Sequence, residues 1–164
     1  MSHEIADRYR RWFDYEKDAH QKVIRSLESV SAQGRSSPEY LRAISILAHI
    51  VVARRVWLGR LGVSPPYTGA FFPQGQELAQ VVNQLNETQQ LWADYLDRIT
   101  DEVIAKTFEY QSLDAGRYRN RIEDILAQLF GHSSYHRGQI AMLVRAAGGE
   151  PAVTDLIYWC REMI

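Results

Sequence analysis

Two histidines four residues apart, His132 and His136, lie within RIEDILAQLFGHSSYHRGQIAMLVRA, residues 121–146, a run whose apolar positions keep helical time. Ile122, Ile125, Leu126, Leu129, Ile140, Leu143 and Val144 recur at the i, i+3, i+4, i+7 spacing of one helix face, and both imidazoles fall on that face. Side chains one helical turn apart have Cβ atoms about 5–6 Å apart, so both rings can reach one metal ion through bonds of about 2.0–2.1 Å. A lone inward histidine is most simply a core residue with its nitrogens satisfied. Two on one face raise a harder problem, because each ring needs partners for two nitrogens and neighbouring positive charges oppose double protonation. A divalent ion solves both, provided another element supplies a third ligand. Because metal binding needs neutral rings, affinity is expected to fall as pH drops through about 6.5.

Further ligands must come from the elements packed against this helix. A first helix over 4–31 carries Tyr9, Trp12, Phe13, Val23, Ile24, Leu27 and Val30 on one face, with Glu16 and His20 among them. Gly34 and Arg35-Ser36-Ser37-Pro38 end it, Ser37 serving as N-cap and Pro38 as first-turn residue of a second helix over 39–61. That helix buries Leu41, Ile44, Val51, Val52 and Leu58, and His49 lies at the edge of its stripe. If the two helices form an antiparallel hairpin, residues whose numbers sum to about 69 lie level, since both rise about 1.5 Å per residue. His20 is then level with His49, and three helices bring His20, His49, His132 and His136 together, with Glu16 a turn away.

Residues 62–75 are rich in proline and glycine and read as a long loop, whose Tyr67, Phe71 and Phe72 are expected to cover the end of the bundle or, as the lesser alternative, to line a pocket. A third helix over 75–100 supplies core residues. Residues 108–119 alternate around Asp114-Ala115-Gly116 and read as a small β-hairpin before the last bundle helix. Gly148-Gly149-Glu150-Pro151 stops that helix, and Thr154 is expected to cap a short closing helix over 154–162, whose Leu156, Ile157, Tyr158 and Trp159 form an apolar cluster. The expected fold is all-α: one domain of 164 residues, a four-helix bundle with a long crossover connection, a small hairpin and a short C-terminal helix.

Charge and composition narrow the function. Nineteen basic against twenty acidic residues leave no field that would recruit nucleic acid or an acidic membrane. The single cysteine, Cys160, precludes an intrachain disulfide, and the charged N-terminus shows neither a secretory signal nor a membrane span, so a soluble cytoplasmic protein is expected.

At HSSYHRGQI the sequence resembles the DinB-like family of metalloenzymes, whose signature is a His-x-x-x-His-Arg-Gly-Gln run on the last bundle helix. The resemblance extends in weaker form to Tyr9 and Trp12, to LAHIVVARRVWLGRLG around His49, and to GGEPAVTDLIYW after the last bundle helix. It implies a bundle with an uncommon connection between its halves, a homodimer, and a divalent metal on three histidines that land on His49, His132 and His136. Relatives of known activity are transferases and isomerases that use a small thiol such as bacillithiol or mycothiol. Where relatives often carry asparagine two residues after the tryptophan, this chain has Asp14, which periodicity turns outward.

Three neutral histidines around one ion, zinc or nickel by imidazole preference and iron as a third option, leave coordination positions open. HSSYH lacks the glutamate of the HExxH proteases, which disfavours proteolysis. A base would come from Glu16 or His20, with second-sphere hydrogen bonding as the plainer role of Glu16. Arg137 is placed to clamp a ligand carboxylate or, more simply, to bridge to a neighbouring helix. Three readings follow for a small-molecule substrate: a metal-dependent transferase using a small-thiol cofactor, a metal-dependent hydrolase using bound hydroxide, and a non-enzymatic metal-binding or dimerisation module.

Overall fold

The computed structural model describes residues 4–112 and 115–164. Four long helices, α1 (Glu4–Glu28), α2 (Pro38–Arg60), α3 (Leu78–Arg98) and α5 (Ile122–Ala146), form the bundle; α4 (Asp101–Ile104), a hairpin of β1 (Thr107–Gln111) and β2 (Arg117–Arg121), and α6 (Leu156–Cys160) complete it. No helix among the described residues is long and apolar enough to cross a membrane.

Interhelix contacts fix the direction of each helix. Arg10 meets Leu96 and His20 meets Gln89, so α3 runs antiparallel to α1; Gly34, before α2, lies against Ala147, after α5, while Arg54 meets Ser133, so α2 runs antiparallel to α5. Tyr9 meets Glu123 while Glu16 meets Arg137, which makes α5 parallel to α1. The order is up, down, down, up. α1 and α2 do not form the side-by-side hairpin expected from sequence: they barely touch, and each packs between α3 and α5 at opposite corners. The level arithmetic nonetheless holds across the diagonal.

Two consecutive parallel helices require a connection that travels back along the bundle. Residues 61–77 make this journey beside α2, with Pro66 against Gly59, Phe71 at His49 and Gln74 Nε2 donating to Ser45 Oγ at 2.8 Å. A Cβ on Gly59 would lie 3.0 Å from Pro66 Cα, so a side chain there would push the crossover away. The loop aromatics therefore lie along the flank: Phe71 and Phe72 reach the histidines instead of covering the bundle end.

The apolar interior is two clusters. One joins Val23, Ile24 and Leu27 with Ile44, Leu47, Val51, Leu85, Ile140 and Val144; the other joins Tyr9, Phe13, Leu58, Trp92, Leu96, Ile104, Ile122, Leu126 and Leu129. Between them lies a buried polar belt holding Glu16, His20, His49, Arg54, Gln89, Ser133, His136 and Arg137. Buried polar groups are costly unless partnered, and most of this belt is cross-linked.

Local signals set several boundaries. Ser37 Oγ accepts from Tyr40 N at 3.2 Å with Pro38 in the first turn, as its sequence predicts. α1 ends at Glu28, and Gly34 begins a short 3-10 turn; α3 is shorter than 75–100 because Thr100 caps the separate α4. Asp101 at the start of α4 accepts from Ala6 N at 2.8 Å and so satisfies the N-terminus of α1. Thr154 does not cap α6; the helix begins at Leu156, and the Thr154 carbonyl instead accepts the Tyr15 hydroxyl. Leu41, expected in the core, is 54% exposed. The hairpin pairs residues 107–111 with 117–121, and Asp114 of its expected turn lies outside the described residues.

Candidate metal centre

α2 and α5 run antiparallel and in contact, which brings His49 opposite the His132–His136 pair. One ring nitrogen from each histidine lies within 4.8 Å of the others. His49 Nε2 and His132 Nε2 are 3.0 Å apart, and the three ring centroids are separated by 4.4–4.9 Å. Nitrogens bound to one ion at about 2.1 Å lie about 3.0 Å apart when the bonds are perpendicular and about 3.4 Å apart when tetrahedral.

Hydrogen bonds orient two of the rings. His49 Nδ1 donates to the Phe71 carbonyl at 2.8 Å, and His136 Nδ1 to Gln139 Oε1 at 2.7 Å. A neutral imidazole that donates through Nδ1 presents its Nε2 lone pair, so both rings direct that lone pair away from their partners. The Phe72 ring stacks on His49 at 3.8 Å and 7°. His49, assigned by periodicity to a stripe edge, is therefore only 5% exposed because the crossover seals it.

Protonation is a poor alternative to a metal. Burial pushes His132 down to about 4, with His136 and His49 adding to the effect, and burial also lowers His49 against the favourable Phe71 carbonyl. With His49 donating through Nδ1, its Nε2 lone pair faces His132 Nε2 at 3.0 Å, where it accepts an Nε2–H of neutral His132 or, with that proton released, joins it in binding a cation. The donor set thus fits a divalent ion, and burial favours the neutral, metal-binding form of His49 and His132. His132 is half-buried and Tyr135 beside His136 is 67% exposed, so the centre is reached from solvent.

The rest of the polar belt supports this centre from behind. Both Glu16 oxygens are held by guanidinium groups, one by Arg54 and one by Arg137. Burial alone would raise the Glu16 carboxyl, but Arg54, His20 and Arg137 outweigh it and hold it below the usual value. Arg54 Nη2 also donates to Ser133 Oγ at 3.1 Å, which ties the ion pair to the turn between the two α5 histidines. Arg137 is buried, with its remaining Nη group on the Tyr15 hydroxyl at 2.8 Å; it forms the interhelix bridge, and the geometry does not present it as a clamp for a ligand carboxylate.

His20 lies level with His49 but faces a different neighbour. It is fully buried, its Nδ1 lies 3.4 Å from Gln89 Oε1 on α3, and it is outside the three-nitrogen group. Asp14 points outward, as expected, and pairs with Lys17. Sequence reasoning gave no role to Arg54, Gln89 or the Phe71 carbonyl, nor to Ser133, which lies on the inward face of the histidine helix. Arg54 carried a signal, as an arginine within the apolar run of α2; the carbonyl carried none.

The DinB family model matches residues 1–161. Protein DinB of Bacillus subtilis (strain 168) is 21% identical over 154 residues, covering 87% of this chain and 88% of the relative. No solved structure matches the chain significantly. With nearly the whole chain matched, and a three-histidine cluster joining its second and last bundle helices, the protein belongs to the DinB family.

Proposed function

We propose that this protein is a metal-dependent transferase that joins a small cellular thiol to an electrophilic substrate. The observation that carries the reading is the convergence of three imidazoles, with no carboxylate among the ligand atoms. A divalent ion held there, zinc or nickel, supplies a Lewis acid whose undiminished charge favours a thiolate ligand at neutral pH. His49, His132 and His136 hold it; the Phe71 carbonyl and Gln139 fix the orientation of His49 and His136. Glu16 and Arg54 act as positioning residues for the α5 turn through Ser133, and His20 as a buried partner of Gln89. An ion there would favour a bound thiol as its thiolate, with the proton passed to solvent. The substrate's leaving group, such as chloride, departs as the new C–S bond forms, so no general base is assigned. The protein works as a homodimer, a reading supported by the exposed Ile157 and Tyr158 of α6.

Metal analysis of freshly purified protein, followed by a screen of low-molecular-weight thiols against an activated aryl chloride, tests the proposal. Thiol-dependent loss of the electrophile, abolished in His49→Ala, is expected. Turnover of ester or amide substrates without thiol would support the hydrolytic reading instead.

A further inference from the structure

The polar belt does not balance its own charge. Arg54, Arg137 and Glu16 are buried together, with side chains 4%, 1% and 3% exposed, so one carboxylate serves two guanidiniums. His20, the other titratable group against Glu16, adds no negative charge. The further carboxylate that acts nearby, exposed Asp155, lies beside Tyr15 on the Arg137 side. Besides the Glu16 carboxylate that it shares with Arg137, Arg54 has neutral partners, Ser133 Oγ and the Phe13 ring. Its Nε–H is buried with no hydrogen-bond partner, as is that of Arg137, and of the two arginines it is Arg54 that lines a cavity. An unmatched buried charge costs several kcal/mol, and an unpartnered buried donor adds to that.

A cavity lies where a counterion would help. It holds about 30 Å³ and is lined by Arg54, Glu16, Trp12, Phe13, Trp92 and Phe130 among others. Trp12 and Phe130 are only half-buried, so solvent ions can enter between α1 and α5. About 10–15 Å³ of such space suffices for one water molecule, so it takes one or two waters or a single halide and excludes sugar acids or nucleotides. Aromatic ring edges carry partial positive charge and suit an anion better than a cation. Both Glu16 oxygens are engaged by guanidiniums, which turns the carboxylate charge inward toward them.

We propose that this aromatic-walled cavity is a binding site for a small monovalent anion of halide size, held against the unpartnered Nε–H of Arg54. The site is separate from the three histidines and reaches them through Arg54 and Ser133. Occupancy completes the charge balance of the belt and stabilises the fold.

Thermal unfolding in chloride against gluconate at fixed ionic strength tests this, with metal-loaded and chelator-treated full-length protein. For a Kd near 10 mM, 100 mM chloride raises the folded-to-unfolded ratio about tenfold, seen as a Tm increase of about 3–5 °C. The increase is expected in both preparations and is lost in Leu129→Phe, which fills the cavity wall without touching the histidines. Equal melting in chloride and gluconate overturns the proposal. So does a chloride effect that vanishes on chelation, which would place the anion at the histidine centre and leave the transferase reading intact. If Leu129→Phe fails to fold, crystals of the unaltered protein grown in bromide decide: an anomalous peak beside Arg54 supports the site, and its absence overturns it.

Discussion

At the scale of residues, the centre depends on groups that are neutral or paired only because they are buried. Replacing His132 with alanine removes one of three ligands, and loss of stoichiometric metal by elemental analysis is the expected result. Gln139→Leu leaves all three ligands but frees His136 Nδ1, so metal affinity measured by competitive titration should fall about 10–100-fold. Glu16→Gln leaves two guanidiniums buried with no countercharge, which should cost about 3–5 kcal/mol in urea unfolding. His20 sets a pH dependence. Burial pushes it from 6.5 down to about 4 in the fold, so between those values the unfolded chain takes up a proton that the native state refuses. Stability is therefore full above 6.5 and falls as pH drops toward 4, by about 3 kcal/mol at most. Glu16 acts in the same direction at lower pH, since its carboxyl is held below 4.5 and its contribution is lost as it protonates. Unfolding of chelator-treated His20→Asn across this range should show a shallower decline than the unaltered protein.

At the scale of elements, the crossover is both a connection and a wall of the site. Because α2 and α3 are parallel, the chain between them must pass His49, where it donates a carbonyl and an aromatic face. Its approach depends on the missing side chain at Gly59. Gly59→Val should displace Pro66, loosen Phe71 and Phe72 downstream, and weaken metal binding while far-UV circular dichroism still reports an intact bundle. Unchanged affinity would show that the loop is anchored at His49 independently of Gly59. The diagonal placement of α1 and α2 matters equally, because it sends His20 toward α3 and His49 toward α5 from the same level of the bundle.

At the scale of the whole molecule, the polar belt between two apolar clusters joins α1, α2 and α5 through Glu16 and its two arginines. Folding and assembly of the metal centre are thereby linked, since His132 and His136 flank the Ser133 that Arg54 holds. Saturating zinc should raise the unfolding midpoint, and His49→Ala should abolish that increase. The exposed face of α6, with Ile157 63% and Tyr158 52% exposed, is the candidate dimer contact. Sedimentation at micromolar concentration should give about twice the 18.9 kDa chain mass, and Ile157→Lys should shift the population toward monomer. A monomer in the unaltered protein would exclude the dimer.

The sequence by itself determined what depends on local order. Helical periodicity placed His132 and His136 on one inward face, Ser37 and Pro38 marked the start of α2, and the glycines after Ala147 marked the end of α5. Regular rise along two antiparallel helices was enough to set His20 level with His49, with Glu16 a turn away. The tertiary structure alone decided which level residues meet. Periodicity gives an angle about one helix axis and carries no information on which neighbour occupies that angle, so the diagonal arrangement could not be read from it. Nor could the Phe71 carbonyl: every residue has one, and only the path of the crossover selects the one that orients His49. Arg54 and Arg137 could be named from the sequence as charges among apolar residues, but their sharing of a single carboxylate exists only where three helices converge.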